Sequence, residues 1–339
     1  MEAVLSHNSA LEYWRTHRDV KANDAAKLRR KSVPTSHPDT SAFREALPSG
    51  LSYPVSLLVG RQKARWKSKT VRPRVYSGQT PDWSFVYIGE GLSVSSPPFC
   101  FFQMAGELPL IKLIELGLEF CGTYSLPLMD MYESGIEGAE ANDQTTYNHP
   151  PLTSTNALKT FVKRMEGVNG QKKALRALRY ITDGSGSPME TKLYMLLTLS
   201  HKLGGYGLPM PKLNKRIDPG KAARHRLQGK GKPYYKCDLF WPETNLAVEY
   251  DSKTYHTNEE RIMEDAKRRR ELDAIGIGVE TVTGSQILSA TEFEIVARQI
   301  ARKLCKQLRY WNPQNKKKQR ELRRQLLGLT GATGLDNES

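Results

Sequence analysis

The chain has 339 residues, 38% hydrophobic and 26% charged, which is enough for one large or two ordinary globular domains. It has no run of about 18 uninterrupted apolar residues, so a membrane-spanning helix is excluded, and no signal-peptide pattern is expected. The net charge of +15 arises in the second half: residues 1–154 carry 16 Lys and Arg against 16 Asp and Glu, and residues 155–339 carry 35 against 20. We therefore expect two domains, a soluble cytoplasmic protein, and a polyanionic partner for the second half only.

The first part of the chain predicts a polar segment and then a small domain. Residues 1–44 are polar, with a helix followed by a break rich in Pro, Ser and Thr. Residues 45–127 contain alternating apolar runs that predict short strands, and then a run near residues 97–125 with helical spacing. The sequence thus predicts a small α+β accessory domain over residues 45–127.

The rest of the chain divides into a linker, a larger domain and a tail. Residues 128–154 are acidic and rich in turn-forming residues, which is typical of a linker. Residues 155–310 open with two short basic helices and form the predicted main domain. Residues 311–339 are predicted to be a basic, flexible tail.

A helix is predicted to begin at Ser187, with Ser187 as its N-cap, Pro188 in its first turn and Gly204 as its stop. Glu190 lies in that first turn. An acidic residue at this place is favoured by the helix dipole alone, so Glu190 by itself has no functional meaning.

A β-hairpin that carries three carboxylates follows this helix. Residues 234–251 form two alternating runs joined by a Pro-Glu-Thr-Asn turn, with Asp238 on the first strand and Glu249 and Asp251 on the second. Acidic residues are poor strand formers, and local conflicts of this kind are typical of functional sites. If the acidic faces coincide, Asp238, Glu249 and Asp251 converge, and hard oxygen ligands without His or Cys favour Mg²⁺ or Mn²⁺. The alternative is an exposed hairpin whose acids face solvent or pair with Lys and Arg.

The order of these motifs resembles the very-short-patch-repair-like endonuclease domains of the PD-(D/E)XK nuclease superfamily, over about residues 187–305. The resemblance is carried by four ordered pieces: Glu190; Asp238; Glu249-x-Asp251 with His256; and Asp265-x-x-Arg268 ahead of Leu272-x-x-x-Gly276. It implies an α/β fold in which a restriction-endonuclease-like mixed sheet is flanked by helices.

The resemblance also implies roles for the acidic residues. Asp238 and Glu249 are expected to be direct metal ligands, and Asp251 and Glu190 to bind the metal or its water. His256 is expected to act as an acid or a base, because its ordinary pKa is near neutral, or else to pack on the end of the hairpin. The superfamily has Lys two residues after an acid, whereas Glu249 is followed there by Asp251. Lys253, which follows Asp251 at that spacing, is a secondary candidate.

The basic residues of the second half predict contacts with a nucleic-acid backbone. A Gly-rich arm from Lys215 to Lys236 is expected to track phosphates, which give affinity without sequence information. The residues assigned to this role are Arg224, Arg226, Lys230, Lys232, Arg268 and Arg269. Each basic run on its own is more often a solvated surface.

Residues 51–127 resemble, more weakly, the C-terminal region of AbiEi-type antitoxins, which implies a bacterial defence or toxin–antitoxin setting and a protein partner for this domain. From the whole sequence we expect a Mg²⁺-dependent endonuclease acting on nucleic acid, with DNA favoured, and no small organic cofactor. Two alternatives remain open. One is a catalytically inactive nuclease-fold regulator or antitoxin, and the other is a protein-interaction module for an acidic partner.

Overall fold

The structure is a computed structural model that describes residues 3–18, 33–34, 47–64, 69–128, 145–220, 234–251, 259–308 and 312–328. The described residues form two compact units, one up to Asp183 and one from Gly184 onward. Within these residues, no helix combines the length and the apolar character needed to cross a membrane. Mixed sheets together with helices confirm the expected α/β class.

The first unit contains a five-stranded mixed sheet in the order β3-β2-β1-β5-β4. Strand β1 pairs in parallel with β5 and antiparallel with β2, β2 pairs in parallel with β3, and β4 forms a hairpin with β5. All residues of β1, β2 and β5 are buried. The strands are β1 (Ala3–Leu5), β2 (Val55–Val59), β3 (Val71–Val75), β4 (Phe85–Gly89) and β5 (Leu92–Ser95).

The helices of this unit bury the large apolar side chains that the sequence shows at helical spacing. Leu108 and Pro109 divide the predicted long helix near residues 97–125 in two. The helices are α1 (His7–Thr16), α2 (Pro97–Glu107), α3 (Leu110–Phe120), α4 (Thr155–Arg164) and α5 (Gln171–Ala177), with a short pair β6 (Tyr124–Ser125) and β7 (Thr146–Tyr147) and one 3₁₀ turn (Gln62–Ala64).

The structure differs from the predicted division of the chain at both ends of this unit. The segment 1–44 was predicted to be polar and separate, but β1 is the central strand of the sheet. Trp14 of α1 is buried and donates its Nε1–H to the Ser95 carbonyl at 2.8 Å. The main domain was predicted to begin at residue 155, but residues 155–183 belong to the first unit.

A buried acid, Glu119 of α3, joins three segments of the first unit. Arg15 forms a two-point pair with its carboxylate at 2.9 and 2.8 Å, and the Leu126 backbone N–H donates to it at 3.1 Å. Arg18 lies 4.0 Å from the same carboxylate and donates to the Glu119 carbonyl at 3.2 Å. Because a buried charge is tolerated only when it is paired, these contacts hold α1 against the end of α3.

We predict that Glu119→Ala lowers the free energy of unfolding by about 3–5 kcal/mol, because it leaves Arg15 and Arg18 buried without their counter-charge. Urea denaturation of the full chain measures this loss. Glu166→Ala in the same unit is the matched control: Glu166 is exposed, so a loss of about 0.5 kcal/mol or less is expected. Equal losses for the two variants would contradict the structural role of Glu119.

The second unit contains a four-stranded sheet in the order β11-β10-β9-β8. Strands β8, β9 and β10 are antiparallel, and β11 is parallel to β10. The elements are α6 (Pro188–Thr198), a 3₁₀ turn (His201–Leu203), β8 (Lys212–Ile217), β9 (Tyr235–Trp241), β10 (Leu246–Asp251), α7 (Glu259–Ala274), β11 (Gly278–Thr283), α8 (Gly284–Leu288), α9 (Ala290–Lys303) and α10 (Pro313–Leu327).

Helix α6 begins as the sequence predicts. The Ser187 hydroxyl accepts from the Glu190 backbone N–H at 3.1 Å, and Pro188 occupies the first turn. The helix ends at Thr198, before the predicted stop. Gly204 closes the 3₁₀ turn that follows, in the left-handed region at φ 92°.

Helix α10 corrects the prediction of a flexible tail over residues 311–339 for its own residues, Pro313–Leu327, while residues 329–339 lie outside the described residues. Leu322 and Leu326 are buried, and Arg323 is 4% exposed and donates to the Ile287 and Leu288 carbonyls at 2.6 and 2.9 Å. The two leucines lie four residues apart, so they form one narrow apolar stripe on an otherwise charged helix. The density of Lys and Arg obscured this stripe in the sequence.

Candidate active site

The predicted hairpin positions the candidate site. Strands β9 and β10 pair at Leu246–Trp241, Ala247–Phe240 and Val248–Leu239, around a turn in which Asn245 has φ 49°. Asn tolerates this left-handed conformation better than most residues. A core cluster beneath the hairpin fixes the strands against α7: Tyr235, Cys237, Phe240, Ala247, Leu272 and Ile277.

Asp238 lies where the regular hairpin pairing ends. Its Oδ2 accepts a hydrogen bond from the Tyr250 backbone N–H at 2.9 Å, so the side chain satisfies a donor of the neighbouring strand. Burial raises the pKa of Asp238, and the charges of Glu190 and Glu249 raise it further, to about 7, against the opposing hydrogen bond from Tyr250 and the charge of Arg268. Two other predicted site residues, Glu190 and Glu249, therefore lie close enough to Asp238 to act on its charge.

Glu190 is held from two sides. Its Oε2 accepts from the Gly186 backbone N–H at 2.9 Å and from the Asn214 side-chain amide. A Cβ at residue 186 would lie 3.0 Å from both the Asn214 nitrogen and the Glu190 oxygen, so a larger residue there would have to displace these two side chains by a few tenths of an ångström. Asn214 has φ 46° within β8, a conformation that directs this strand residue at the acid without the regular alternation.

Glu249 is paired with Arg268 of α7. The Arg268 Nη2 lies 2.6 Å from Glu249 Oε1 and also 2.6 Å from the Lys236 carbonyl. Burial disfavours the charged guanidinium, but the hydrogen bond and charge of Glu249 outweigh this effect and raise the pKa of Arg268. The chain thus supplies its own cation to one of the predicted metal ligands.

The other predicted site residues either have different contacts from those expected or lie outside the described residues. Asp251 is half-buried at the end of β10, paired with Thr283 of β11. Arg269, predicted to contact phosphate, donates to the Thr281 hydroxyl at 2.9 Å. Arg268, predicted to do the same, pairs with Glu249 instead. Six predicted residues lie outside the described residues: Arg224, Arg226, Lys230, Lys232, Lys253 and His256.

The carboxylates of this region are the candidate ligands of a divalent cation. In the part of the chain that the structure describes, no group of three or more His, Cys, Asp or Glu side chains is placed to hold a metal ion. The predicted trio of Asp238, Glu249 and Asp251 is therefore not preformed there. Mg²⁺, however, is often bound by one or two carboxylates together with substrate phosphate, and the crowded oxygens at Asp238 fit such a hard cation.

Comparisons of the chain with protein-family models, curated proteins and solved structures gave no match. The function is therefore argued from the site itself.

Sequence reasoning missed the groups that support the acids. Asn214 and Gly186 are not part of the resembling motifs, and neither residue type is distinctive in a loop or edge strand. Gly186 is four residues before Glu190, and Asn214 is on the strand next to that of Asp238. The sequence contains no other signal for either residue. The contact between Arg268 and Glu249 is an instance of the alternative in which the acids pair with Lys or Arg, although the sequence does not indicate which cation pairs with which acid.

We predict that Asp238→Asn raises the melting temperature by a few degrees at pH 8 in EDTA and leaves it nearly unchanged at pH 4. The carboxyl titrates near 3.8 in the unfolded chain and near 7 in the folded chain, so the folded state holds the extra proton between these values. Its contribution to stability is present below about pH 4 and is lost as the pH rises to about 7. Asn cannot ionise, but it still accepts from the Tyr250 N–H.

Differential scanning fluorimetry at the two pH values measures this effect. Asp273→Asn is the control, because Asp273 is an exposed acid on α7 of the same unit. An equal shift for Asp238→Asn at both pH values would show that the ionised carboxylate carries no penalty in the folded chain.

Proposed function

We propose that the second unit is a metal-dependent endonuclease that hydrolyses phosphodiester bonds of nucleic acid, with DNA as the favoured substrate. The observation that supports this most is the group formed by Glu190, Asp238 and Glu249. A folded chain gains no stability from placing Glu190 and Glu249 where they raise the pKa of the half-buried Asp238, whereas a cation held by one or two of these carboxylates together with a substrate phosphate would offset that repulsion. The motif order that resembles very-short-patch-repair-like endonucleases supports the same function.

The proposed roles follow from how each acid is held. Asp238 and Glu249 would hold Mg²⁺ or Mn²⁺, which when bound supplies an activated water and offsets charge on the scissile phosphate. Glu190, fixed by Asn214 and Gly186, orients water beside Asp238. Arg268 holds the Glu249 carboxylate in place until the cation and substrate bind.

A second candidate is a nuclease-fold nucleic-acid-binding regulator without catalysis. The pair between Arg268 and Glu249 favours it, because a carboxylate that is already neutralised within the protein is a weaker metal ligand. In this case the acids serve structure, and the basic surface of the unit still binds nucleic acid. We further propose, from the AbiEi-type resemblance of the first unit, a setting in bacterial defence with a protein partner on that unit.

We predict that Asp238→Asn and Glu249→Gln each reduce cleavage at least about 100-fold in Mg²⁺ while nucleic-acid binding is kept, because the lost contribution is charge at the reacting phosphate. Glu190→Gln should cost less, about tenfold, since an amide still accepts from Asn214 and Gly186. Single-turnover assays with circular, linear, mismatched and single-stranded substrates measure these rates in Mg²⁺, Mn²⁺ and EDTA.

Asp273→Asn serves as the control and should cleave at the wild-type rate. Wild-type cleavage by Asp238→Asn or Glu249→Gln would refute the site. A wild-type protein that binds nucleic acid but cleaves none of the substrates in either metal would establish the second candidate instead.

A further inference from the structure

A pair of like charges lies on the edge of the second sheet, beside the candidate site. Arg216 of β8 is directly opposite Lys236 of β9 in the antiparallel register, and both side chains are exposed. Directly opposed like charges destabilise a strand pair. A feature that works against the fold in this way is typical of a functional surface.

Tyr234 holds the side chain of Arg216 in a defined position on this surface. The Arg216 guanidinium carbon lies 4.0 Å from the centre of the Tyr234 ring, and Tyr234 itself is 43% exposed. The ring holds the planar guanidinium by a cation–π contact, which leaves its N–H groups available as a fork for phosphate oxygens. One of these groups, the Nε–H, donates to Asp218 at 3.0 Å.

The pair between Arg216 and Asp218 does not block the surface. Both side chains are more than half exposed, at 61% and 59%. Ion pairs with this exposure contribute little, because water and salt screen them. A phosphate therefore exchanges readily for Asp218.

On each of the two strands, the basic residue lies two positions from a residue of the candidate site. Lys236 is two residues before Asp238 on β9, which corresponds to roughly 7 Å along the strand. On β8, Arg216 is likewise two residues from Asn214, the residue that holds Glu190. Among the described strands, β8 is the last in the sheet order, so its outer edge is not paired with another strand there.

We propose that Arg216, Tyr234 and Lys236 form a basic patch that binds the backbone of the nucleic-acid substrate and directs it over Asp238. This assignment rests on the proposed nuclease function and adds the surface by which the substrate strand enters. Residues 212–217 and 235–241 are strands, so both ends of the Gly-rich arm predicted from Lys215 to Lys236 belong to the sheet. The simpler alternative is that Lys and Arg only protect an edge strand from aggregation.

The test compares Arg216→Ala/Lys236→Ala with Lys317→Ala/Arg320→Ala in the full chain. The second variant removes the same charge from exposed positions on α10, in the same unit. Fluorescence anisotropy with single-stranded and duplex oligonucleotides in EDTA, at three salt concentrations, measures affinity without cleavage. A thermal melt of each variant accompanies the binding data.

We expect Arg216→Ala/Lys236→Ala to weaken binding at least tenfold and to flatten the salt slope by roughly 1.4–1.8, as expected for two lost phosphate contacts. Its melting temperature should stay the same or rise, because the opposed charges are gone. The α10 variant should retain most of the affinity.

Equal weakening by both variants, or no weakening by the patch variant, would overturn the proposal. So would a fall in melting temperature that accounts for the lost binding. Polyglutamate that binds the wild type as tightly as the oligonucleotides, and is lost with the patch, would indicate an acidic protein partner and overturn it too. The two proposals can fail separately. The nuclease function is tested by the cleavage rate of Asp238→Asn, in which Arg216, Tyr234 and Lys236 are unchanged.

Discussion

Electrostatic repulsion of Asp238 by the half-buried carboxylates of Glu190 and Glu249 is the constraint on which the candidate site of the second unit depends. Each acid is offset by a different kind of polar group: a side-chain amide and a loop N–H, a strand N–H, and a guanidinium. These groups come from the loop before α6, from β8, from β10 and from α7, so these segments have to be assembled around β9 before the charges of the site are offset. The supporting pairs are Glu190 with Asn214 and Gly186, Asp238 with Tyr250, and Glu249 with Arg268.

The parts of this site that follow from local chemistry were predictable from the sequence. The cap at Ser187 and the turn between β9 and β10 depend on residues within a few positions of one another, and both form as expected. That Glu190 and Glu249 both act on the pKa of Asp238 agrees with the metal site expected between the strands and the first helix, an expectation that came from the order of the motifs rather than from periodicity. The balance of charge was not predictable, because Arg268 reaches Glu249 from a helix whose packing no local pattern specifies.

The division of the chain was harder to predict, for a related physical reason. Strand β1 is three residues long and gains its place from partners far along the chain, which alternation within a short window does not reveal. Helices α4 and α5 have amphipathic patterns that suit either unit equally well. At α10 the highly charged composition suggested a flexible tail. Two buried leucines stabilise the helix, but its many charged residues dominate the average hydropathy of the segment.

The position of β1 has a consequence for how the first unit is made. Its parallel partner β5 begins at Leu92, so residues 6–91 have to be synthesised before the centre of the sheet can close. At roughly 5–20 residues per second, translation leaves Val4 and Leu5 without their final neighbours for several seconds. Pairings over such sequence distances also fold slowly once the chain is complete. During biosynthesis this unit therefore passes through a period in which apolar strands are exposed before their pairing partners have been made.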